Sequence, residues 1–342
     1  MKLMKYFKLA GSRVVKTGVA IFITAWICVL LDWPPVFAVI TAIVTIEPTV
    51  SDSIKKGLVR FPASAIGSAY AVLFISLLGD SPLTYALAAV FTIATCFRLK
   101  LHAGLLVATL TSVAMVEVIH TNVLMSFFIR LGTTTTGLLV STVVNMFMMP
   151  PEYTNEIAKK LESIAYRTGI AVEKVLQDIV DAQHQVVVVE QELAEQLDKM
   201  IHQTEQLIRF QKEESKYHPL AGSERTHFQQ EQEQLVRLRL IHYHLGNLIY
   251  SSFNTIEWSD EKRTAILNAV TDVAQSLKHP NAYEHEKHQK QFTRLTDIFW
   301  DDNRAIAEKK EKRPANLPPE LTILYELLSI YNLVEKYYKK PH

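Results

Sequence analysis

Long apolar segments separated by short polar connections fill the first 150 residues, whereas the rest of the chain carries apolar positions at helical spacing. The hydrocarbon core of a bilayer is about 30 Å thick and needs roughly 20 helical residues to cross it, so the apolar segments predict transmembrane helices. Six spans are predicted, namely Val14–Leu31, Pro35–Val50, Phe61–Leu78, Leu83–Phe97, Ala103–Val118 and Leu124–Met149. The pattern therefore predicts an all-α, polytopic membrane protein whose transmembrane domain covers residues 1–150.

The apolar half contains an internal sequence repeat with a period of seventy residues, here called the echo. Three of its positions return seventy residues later: Glu47, Arg60 and Gly67 recur as Glu117, Arg130 and Gly137. Each copy holds three predicted spans, and an odd number of spans would make the second copy enter the bilayer upside down. Such 3+3 inverted repeats are common in secondary transporters, whose substrate site lies where the repeats meet. The echo therefore favours transport of a small molecule.

Small residues accompany the glycine of each copy. They are Ala63, Gly67 and Ala71 in the first copy, and Thr133, Gly137 and Ser141 in the second. A spacing of four residues places them on one helix face, and such faces let transmembrane helices approach closely. Two interpretations remain open: Gly67 and Gly137 belong to a mobile pair of transporter helices, or they serve ordinary helix packing.

Basic residues predict the orientation of the spans. Lys and Arg cluster before the first span and in alternate connections, whereas the other connections contain none. By the positive-inside rule, both termini of this multi-pass protein of the cell membrane are expected to be cytoplasmic. Residues 1–149 hold 11 basic and 5 acidic residues, a net charge of +6, while residues 150–342 hold 25 and 30, a net charge of −5.

Residues 151–342 are expected to form a cytoplasmic helical domain. Their apolar residues recur at steps of three and four, which predicts an antiparallel bundle of four to five helices. The stretch before Tyr217–Pro219 fits either one helix of about sixty residues or two in tandem. Ser259 is expected to cap a helix that ends before Pro280.

Four charged residues near the membrane are the candidate site residues, because charges at membrane depth are costly and usually functional. Arg130 breaks the positive-inside pattern at the outer end of span six, so it is a candidate to bind an anionic substrate. Glu117 or Glu47 is a candidate to take a coupling proton, and Glu47 could pair with Arg60 as Glu117 could pair with Arg130. The alternative is that both pairs are structural ion bridges near the membrane surfaces.

Several classes of function lack their sequence signals. The chain has no Gly-rich Lys-Ser/Thr loop, no G-x-S-x-G and no H-E-x-x-H, so neither an enzyme nor an ATP-driven pump is expected. The soluble half is net acidic, which disfavours nucleic acid as a partner. Its histidine pairs are not accompanied by cysteine, so no metal and no cofactor are expected. Cys28 and Cys96 lie in apolar segments and are expected to pack there.

Four stretches carry a resemblance to a known family. They are Trp33-Pro34-Pro35 leading to Ile46-Glu47-Pro48-Thr49, Lys56-Gly57-Leu58-Val59-Arg60 running to Ile66-Gly67, Arg98-Leu99-Lys100-Leu101, and Arg130-Leu131-Gly132-Thr133 running to Gly137, Val144-Asn145 and Pro150-Pro151. On these residues the chain resembles the aromatic acid exporter family, related to the fusaric acid resistance-like membrane proteins. It looks like the compact branch with one six-span unit and a C-terminal helical domain.

The resemblance implies efflux of aromatic carboxylic acids and related weak acids, driven by an ion gradient such as that of protons. Arg60 and Arg130 match the Arg of the family's Arg-x-Gly-Thr pattern. The chain departs from that pattern after Arg60, where Phe61-Pro62-Ala63 follows, and Glu47 stands where many members have Gln.

Two functions follow as hypotheses. The first is a homo-oligomeric membrane exporter of small organic anions, in which Arg130 holds the anion. The second is a membrane-anchored scaffold or sensor that acts through its cytoplasmic helical domain on a protein partner.

Overall fold

The computed structural model of this 342-residue chain describes residues 11–118, 123–148, 150–181, 187–251, 253, 256, 258–308 and 318–339. Within these ranges the chain forms twelve α-helices and two short 3₁₀ segments, with no strand. In chain order the helices are α1 Ser12–Leu30, α2 Pro35–Thr45, α3 Val50–Leu78, α4 Pro82–Arg98, α5 Leu105–Val118, α6 Val123–Phe147, α7 Thr154–Val180, α8 Val187–Glu214, α9 Gly222–Tyr250, α10 Asp260–Lys278, α11 His285–Glu308 and α12 Pro319–Tyr338.

The chain divides into two compact units. Unit 1 is Met1–Glu152 together with Phe210–Pro219, and unit 2 is Tyr153–Arg209 together with Leu220–His342. The division after residue 152 lies close to the predicted boundary at residue 150. The short segment 210–219, which contains the end of α8, was not expected in the first unit.

Unit 1 contains one helix for each predicted apolar segment. Three apolar stretches, Arg13–Leu30, Val50–Leu78 and Leu124–Phe147, are long enough to cross a membrane by length and composition. The remaining three helices of the unit are apolar but shorter. With 11 residues, α2 is about 16 Å long, which is roughly half the thickness of a hydrocarbon core.

Helix α2 ends earlier than the sequence predicted. It stops at Thr45 rather than near Val50, and Glu47 lies in the connection that follows. The cause is Pro48, which has no backbone N–H to donate and disfavours helical geometry at the residue before it. The proline therefore ends the helix and places the Glu47 carboxylate in a turn.

Helix α3 begins earlier than predicted, at Val50 rather than Phe61. Thr49 caps it by accepting a hydrogen bond from the Asp52 amide at 3.0 Å. Pro62, which was expected just inside the start of a span, lies in the interior of this helix. The basic residues expected in the connection before it therefore lie on α3 itself: Lys55, Lys56 and Arg60.

The helices of unit 1 pack as two equivalent sets. α3 packs against α5, α2 packs against α6, and α3 and α6 pack against each other. Helices α5 and α6 lie seventy residues after α2 and α3. A two-fold relation between the copies therefore converts the α3–α5 contact into the α6–α2 contact and leaves the α3–α6 contact unchanged. The same relation holds for α1, which packs against α2 and α6 as α4 packs against α5 and α3.

Residue contacts repeat the two-fold relation in detail. A methyl group placed on Gly67 would lie 2.3 Å from the Ala108 carbonyl oxygen, and one placed on Gly137 would lie 2.4 Å from the Ala38 carbonyl oxygen. Ala108 stands seventy residues after Ala38, as Gly137 does after Gly67. The equivalent hydroxyls of Ser64 and Thr134 meet at 3.2 Å, where the two copies touch.

Helices α1 and α4 end in the same way. After each, one residue adopts a left-handed backbone, with φ of 53° and 58°, respectively. The next amide donates to the carbonyl oxygen of a cysteine five residues earlier, at 2.9 Å in both cases, which is the Schellman type of helix end. The residues are Cys28, Asp32 and Trp33 after α1, and Cys96, Lys100 and Leu101 after α4. Both cysteine side chains are buried.

Unit 2 is a helical assembly around one hydrophobic core. α7 packs against α9 and α10, and α12 packs against α9 and α11. The core includes the fully buried Ile164, Leu238 and Ile330. The buried Tyr331 hydroxyl donates to the Ala269 carbonyl oxygen at 2.6 Å, which ties α12 to α10.

The helices of unit 2 differ in number from the prediction. The described residues contain six helices after residue 152, α7–α12, rather than four to five. The stretch before Tyr217 forms two tandem helices, α7 and α8, and not one helix of about sixty residues. The predicted cap is confirmed, since the Ser259 hydroxyl accepts from the Lys262 amide and α10 ends two residues before Pro280.

Candidate functional site

Arg130 lies at a junction of three helices in unit 1. It is carried by α6 and is 3% exposed. Its Nη2 donates to the Thr111 hydroxyl on α5, and its Cζ lies 4.3 Å from the centre of the Phe37 ring on α2. A cation held over an aromatic face in this way is attracted by the electrons of the ring. The helices thus hold a fixed guanidinium against an aromatic side chain.

The guanidinium of Arg130 is only partly satisfied. Its Nε and Nη1 are buried without a hydrogen-bond partner among the residues that the structure describes. A buried charge without a counter-charge is expensive, because nothing replaces the water that it gave up. The unpaired N–H groups of a fixed guanidinium are strong donors for an anion such as a carboxylate. Arg130 can therefore receive an anion.

A small cavity opens beside Arg130. Its volume is about 60 Å³, and its lining consists of Pro34, Phe37, Met115, Ser126, Ile129, Arg130 and Thr133. This volume corresponds to about two water molecules, which is the size of a carboxylate group rather than of a whole aromatic acid. In this conformation the cavity can thus take the charged end of such an acid, while the ring would need additional space.

The threonine run after Arg130 serves its own helix. The hydroxyls of Thr133 and Thr134 both donate to the Arg130 carbonyl oxygen, at 2.9 Å. Those of Thr135 and Thr136 bond back to carbonyls one turn earlier in α6. These hydroxyls are therefore occupied, and the cavity is lined mainly by apolar groups.

Glu117 does not pair with Arg130, contrary to the possibility raised by the sequence. Its side chain is exposed at the end of α5, and Arg130 has no carboxylate within ion-pair distance in the described part of the chain. The reason is the position of Arg130 along the axis of the neighbouring helix α5. Arg130 contacts Thr111, which precedes Glu117 by six residues, or about 9 Å along the helix axis.

Glu47 and Arg60 form the ion pair that their positions allowed. Arg60 Nη2 lies 2.7 Å from Glu47 Oε1, and Lys56 Nζ lies 2.9 Å from Oε2. The side chains of Glu47 and Arg60 are only 11% and 6% exposed. Arg60 also donates from Nε to the Ala103 carbonyl oxygen at 3.3 Å. The two copies therefore differ: the first closes its Glu–Arg pair, and the second leaves the equivalent residues apart.

A buried lysine extends the Glu47 cluster and was missed as a site residue. Lys16 on α1 is 3% exposed, and its Nζ donates to Asn145 Oδ1 on α6 at 2.9 Å. Asn145 Nδ2 in turn donates to Ser53 Oγ at 2.8 Å and to the Glu47 carbonyl oxygen at 3.2 Å. From the sequence, Lys16 counted only among the basic residues that predict the orientation in the membrane, although it lies inside the first predicted apolar span.

Phe37 and Thr111 were also missed, for different reasons. Phe37 is one apolar residue among many in its helix, so nothing in the sequence distinguishes it. Thr111 stands seventy residues after Thr41, and this repeat could have marked it. Gly67 and Gly137, the predicted packing residues, lie at the close helix contacts described above.

Two carboxylates of the segment 210–219 meet the start of α3 within unit 1. Glu214 Oε2 accepts from the Val50 amide at 3.0 Å, and Glu213 accepts from the Ser51 hydroxyl at 2.7 Å. Lys55 lies 3.0 Å from Glu213. Carboxylates are favourable at a helix N-terminus, where unpaired amides and the helix dipole point at them. The Ser51 hydrogen bond, followed by those from Lys216 and Lys55, lowers the pKa of Glu213 to about 2.

The histidine pairs of the sequence do not converge on a metal site. Within the described ranges, no group of three or more His, Cys, Asp or Glu side chains is placed to hold a metal ion. His244 instead contacts the Glu326 carboxylate, and His288 Nε2 lies 3.0 Å from the Tyr331 carbonyl oxygen. These histidines join helices of unit 2.

Comparison with known proteins adds independent information. A sequence model described as aromatic acid exporter family member 1 matches residues 8–148. A UPF0421 protein of Oceanobacillus iheyensis is 50% identical over 338 residues, covering 98% of this chain and 97% of that protein. A UPF0421 protein of Bacillus cereus is 40% identical over 340 residues, covering 98% and 95%. One of Staphylococcus haemolyticus is 34% identical over 339 residues, covering 97% and 98%. The similarity thus extends through both units.

Proposed function

Because the chain belongs to the family of the UPF0421 proteins and matches aromatic acid exporter family member 1 over residues 8–148, we propose that it exports small organic anions such as aromatic carboxylic acids across the cell membrane. The observation that carries this proposal is the buried, partly unsatisfied guanidinium of Arg130 beside the Phe37 ring. No enzymatic step is proposed.

All six helices of unit 1 are proposed to cross the membrane, with both termini cytoplasmic and residues 151–342 on the cytoplasmic side. The asymmetric distribution of Lys and Arg supports this orientation. The short helices α2, α4 and α5 would need local thinning of the bilayer or extension by flanking residues. With three helices in each copy, the two-fold relation would then be an inverted repeat, as in many secondary transporters.

The substrate is proposed to bind with its carboxylate on Arg130. A carboxylate oxygen would accept from Nε or from Nη1, which lie on different edges of the guanidinium, while Thr111 keeps Nη2 in place. Phe37 lies beside the same guanidinium and supplies an aromatic surface for the ring of the acid. Neutral analogues without the carboxylate would leave the guanidinium unpaired, so the site selects for anions.

The difference between the two Glu–Arg pairs suggests how transport proceeds. On the proposed orientation, the Glu47–Arg60 pair closes the cytoplasmic end, whereas Glu117 and Arg130 are apart at the outer end. An inverted repeat can exchange these two arrangements. Formation of a Glu117–Arg130 pair would close the outer end and compete with the anion for Arg130, so release of the anion to the outside belongs to the arrangement in which this pair is open. Protonation of Glu47 or Glu117 would break the corresponding pair, which makes these carboxylates the candidates for coupling to a proton gradient.

Transport into inverted membrane vesicles tests the proposal. Labelled 4-hydroxybenzoate is supplied with and without an inside-acid pH gradient, and wild type is compared with Arg130→Gln. Arg98→Gln, which removes an exposed arginine of the same unit, is the matched control. We expect accumulation that depends on the gradient, that survives in the control and that is lost in Arg130→Gln. Equal accumulation in Arg130→Gln and in wild type would refute the role of Arg130.

A scaffold or sensor is the second candidate, because α9 exposes apolar and aromatic side chains. Val236, Leu240, Tyr243 and Tyr250 are 41–66% exposed at helical spacing, which suits a protein partner or another copy in a homo-oligomer. If this candidate is right, deleting residues 151–342 abolishes the function of the protein in cells, measured for example as resistance to an aromatic acid, while Arg130→Gln leaves that function intact. The exporter predicts that Arg130→Gln abolishes it.

A further inference from the structure

Unit 2 contains a cleft between two helix faces. The α7 face contributes Ala158, Leu161, Glu162 and Ala165, and the α9 face contributes His227, Gln230, Glu231 and Gln234; Leu277, Lys278, Pro280 and Tyr337 complete the lining. Both faces follow the three- and four-residue spacing of one helix side. The cleft has a volume of about 280 Å³, near the lower limit of small-molecule pockets, which hold about 300–1,000 Å³.

The floor of the cleft is buried and its rim is exposed. Leu161, Ala165 and Leu277 are at most 3% exposed, and Tyr337 is 8% exposed. Ala158, Glu162 and His227 on the rim are exposed. The floor therefore offers an apolar surface that a ligand can reach from solvent, which is the usual construction of a small-molecule site.

Glu231 is the unusual member of this floor. It is 8% exposed, and its Oε2 is buried without a hydrogen-bond partner among the described residues. Burial alone raises the pKa of this carboxyl to about 7, since no nearby charge is a cause of the shift. A buried, unpartnered carboxyl is unfavourable unless something else supplies a counter-charge or a hydrogen bond.

The surrounding charges favour a cation as that partner. Glu162 on α7 brings a second carboxylate to the cleft, and it contributes, after burial, to raising the pKa of Tyr337 on α12 to about 12. The ammonium of Lys278 on α10 is already paired with Glu173. His227 lies on the exposed rim of α9. An anion would meet two carboxylates here and no free ammonium.

We propose that this cleft binds a small organic cation, namely a primary amine with a short apolar body. The ammonium pairs with Glu231 and the apolar body covers Leu161, Ala165 and Leu277. This site is distinct from the Arg130 cavity, which favours an anion, and it gives the helical domain a ligand of its own.

Calorimetric titration of the full-length protein in detergent micelles tests the proposal, with phenethylamine as the probe. Two analogues have a similar shape but a different charge: phenylacetate is an anion, and 2-phenylethanol is neutral. We expect phenethylamine to bind at one site per chain and at least tenfold more tightly than either analogue. Because the cation requires ionised Glu231, binding should be about tenfold weaker at pH 6 than at pH 8. A His227→Gln variant should retain this pH dependence.

Two variants and a control locate the binding. Glu231→Gln removes the charge at nearly constant shape and should weaken phenethylamine binding at least tenfold and abolish its pH dependence. Ala158→Phe, on the exposed rim, fills the mouth of the cleft without changing its charge and should also block binding. Glu233→Gln, an exposed carboxylate on the same helix, should bind like wild type.

The proposal fails if phenethylamine does not bind, or if it binds equally to wild type and Ala158→Phe. It also fails if phenylacetate competes at the same site. If Glu231→Gln instead changes the oligomeric state in size-exclusion chromatography, the partner of Glu231 is a side chain of another copy and the small-cation proposal is wrong.

Discussion

Replacing Gly67 by alanine tests the two-fold packing on which the transport proposal depends. The added methyl group would lie 2.3 Å from the Ala108 carbonyl oxygen, whereas ordinary contacts begin at 3.4 Å. The obstacle is backbone of the facing helix, which cannot rotate away as a side chain could. To accept the methyl group, α3 and α5 must separate by about 1 Å along their contact.

Such overpacking typically costs about 1–3 kcal/mol, while alanine in place of helical glycine returns up to about 1 kcal/mol. At roughly 2–4 °C per kcal/mol for a domain of this size, the midpoint of unfolding should fall by several degrees. Gly137→Ala should lose a similar amount, since its methyl group would lie 2.4 Å from the Ala38 carbonyl oxygen. Gly18→Ala is the control, because nothing lies within 4 Å of that position, and it should be neutral or slightly stabilising.

The assay uses the two cysteines of the chain as reporters. Cys28 and Cys96 are both buried in unit 1, so a thiol-reactive dye labels them only when this unit opens on heating. Labelling midpoints at one fixed heating rate compare the variants even when unfolding is irreversible. If Gly67→Ala and Gly137→Ala open at the same temperature as Gly18→Ala, the close packing of the two copies is refuted.

Two further predictions concern charged groups. Glu47→Gln leaves the buried Arg60 without its carboxylate and should destabilise unit 1 by about 3 kcal/mol. Glu117 is exposed, so Glu117→Gln should change the stability of unit 1 by less than about 0.5 kcal/mol. Equal shifts of the labelling midpoint in the thiol assay would contradict this difference. The folded pKa of Glu213 lies below its ordinary value, so its hydrogen bond from Ser51 contributes stability above about pH 4 that is lost as pH falls toward 2. Hydrogen exchange in residues 210–219 should therefore accelerate between pH 5 and pH 3 beyond its intrinsic change, and this excess should shrink in Glu213→Gln; an unchanged excess would argue against the contact.

The helices and the repeat were accessible from the sequence because they depend on local pattern. Apolar length marks each helix of unit 1, and the seventy-residue echo anticipated that Gly67 and Gly137 face equivalent neighbours. The start of α3 was missed because Lys55, Lys56 and Arg60 were assigned to a connection between spans, although they lie in the helix. The effective boundary is Pro48, which lies between the end of α2 at Thr45 and the start of α3 at Val50.

Side-chain partners were harder to predict from the sequence, because they depend on how neighbouring helices are shifted relative to one another along their axes. Glu117 and Arg130 are separated by the same number of residues as Glu47 and Arg60, yet only the latter pair forms. Spacing along the chain does not reveal that Arg130 reaches Thr111, more than one turn away from Glu117. Glu231 shows the same difficulty, since the sequence places it on a polar helix and only the packing of α7 against α9 buries it.

Arg130 is proposed to hold a carboxylate, and direct binding tests this role most simply. Isothermal titration of purified full-length protein with 4-hydroxybenzoate and with 4-hydroxybenzyl alcohol compares ligands that differ in the charged group. We predict that wild type binds the acid at least tenfold more tightly than the alcohol and that Arg130→Gln removes this preference while folding normally. Equal affinity for acid and alcohol, or a preference that persists in Arg130→Gln, would contradict it.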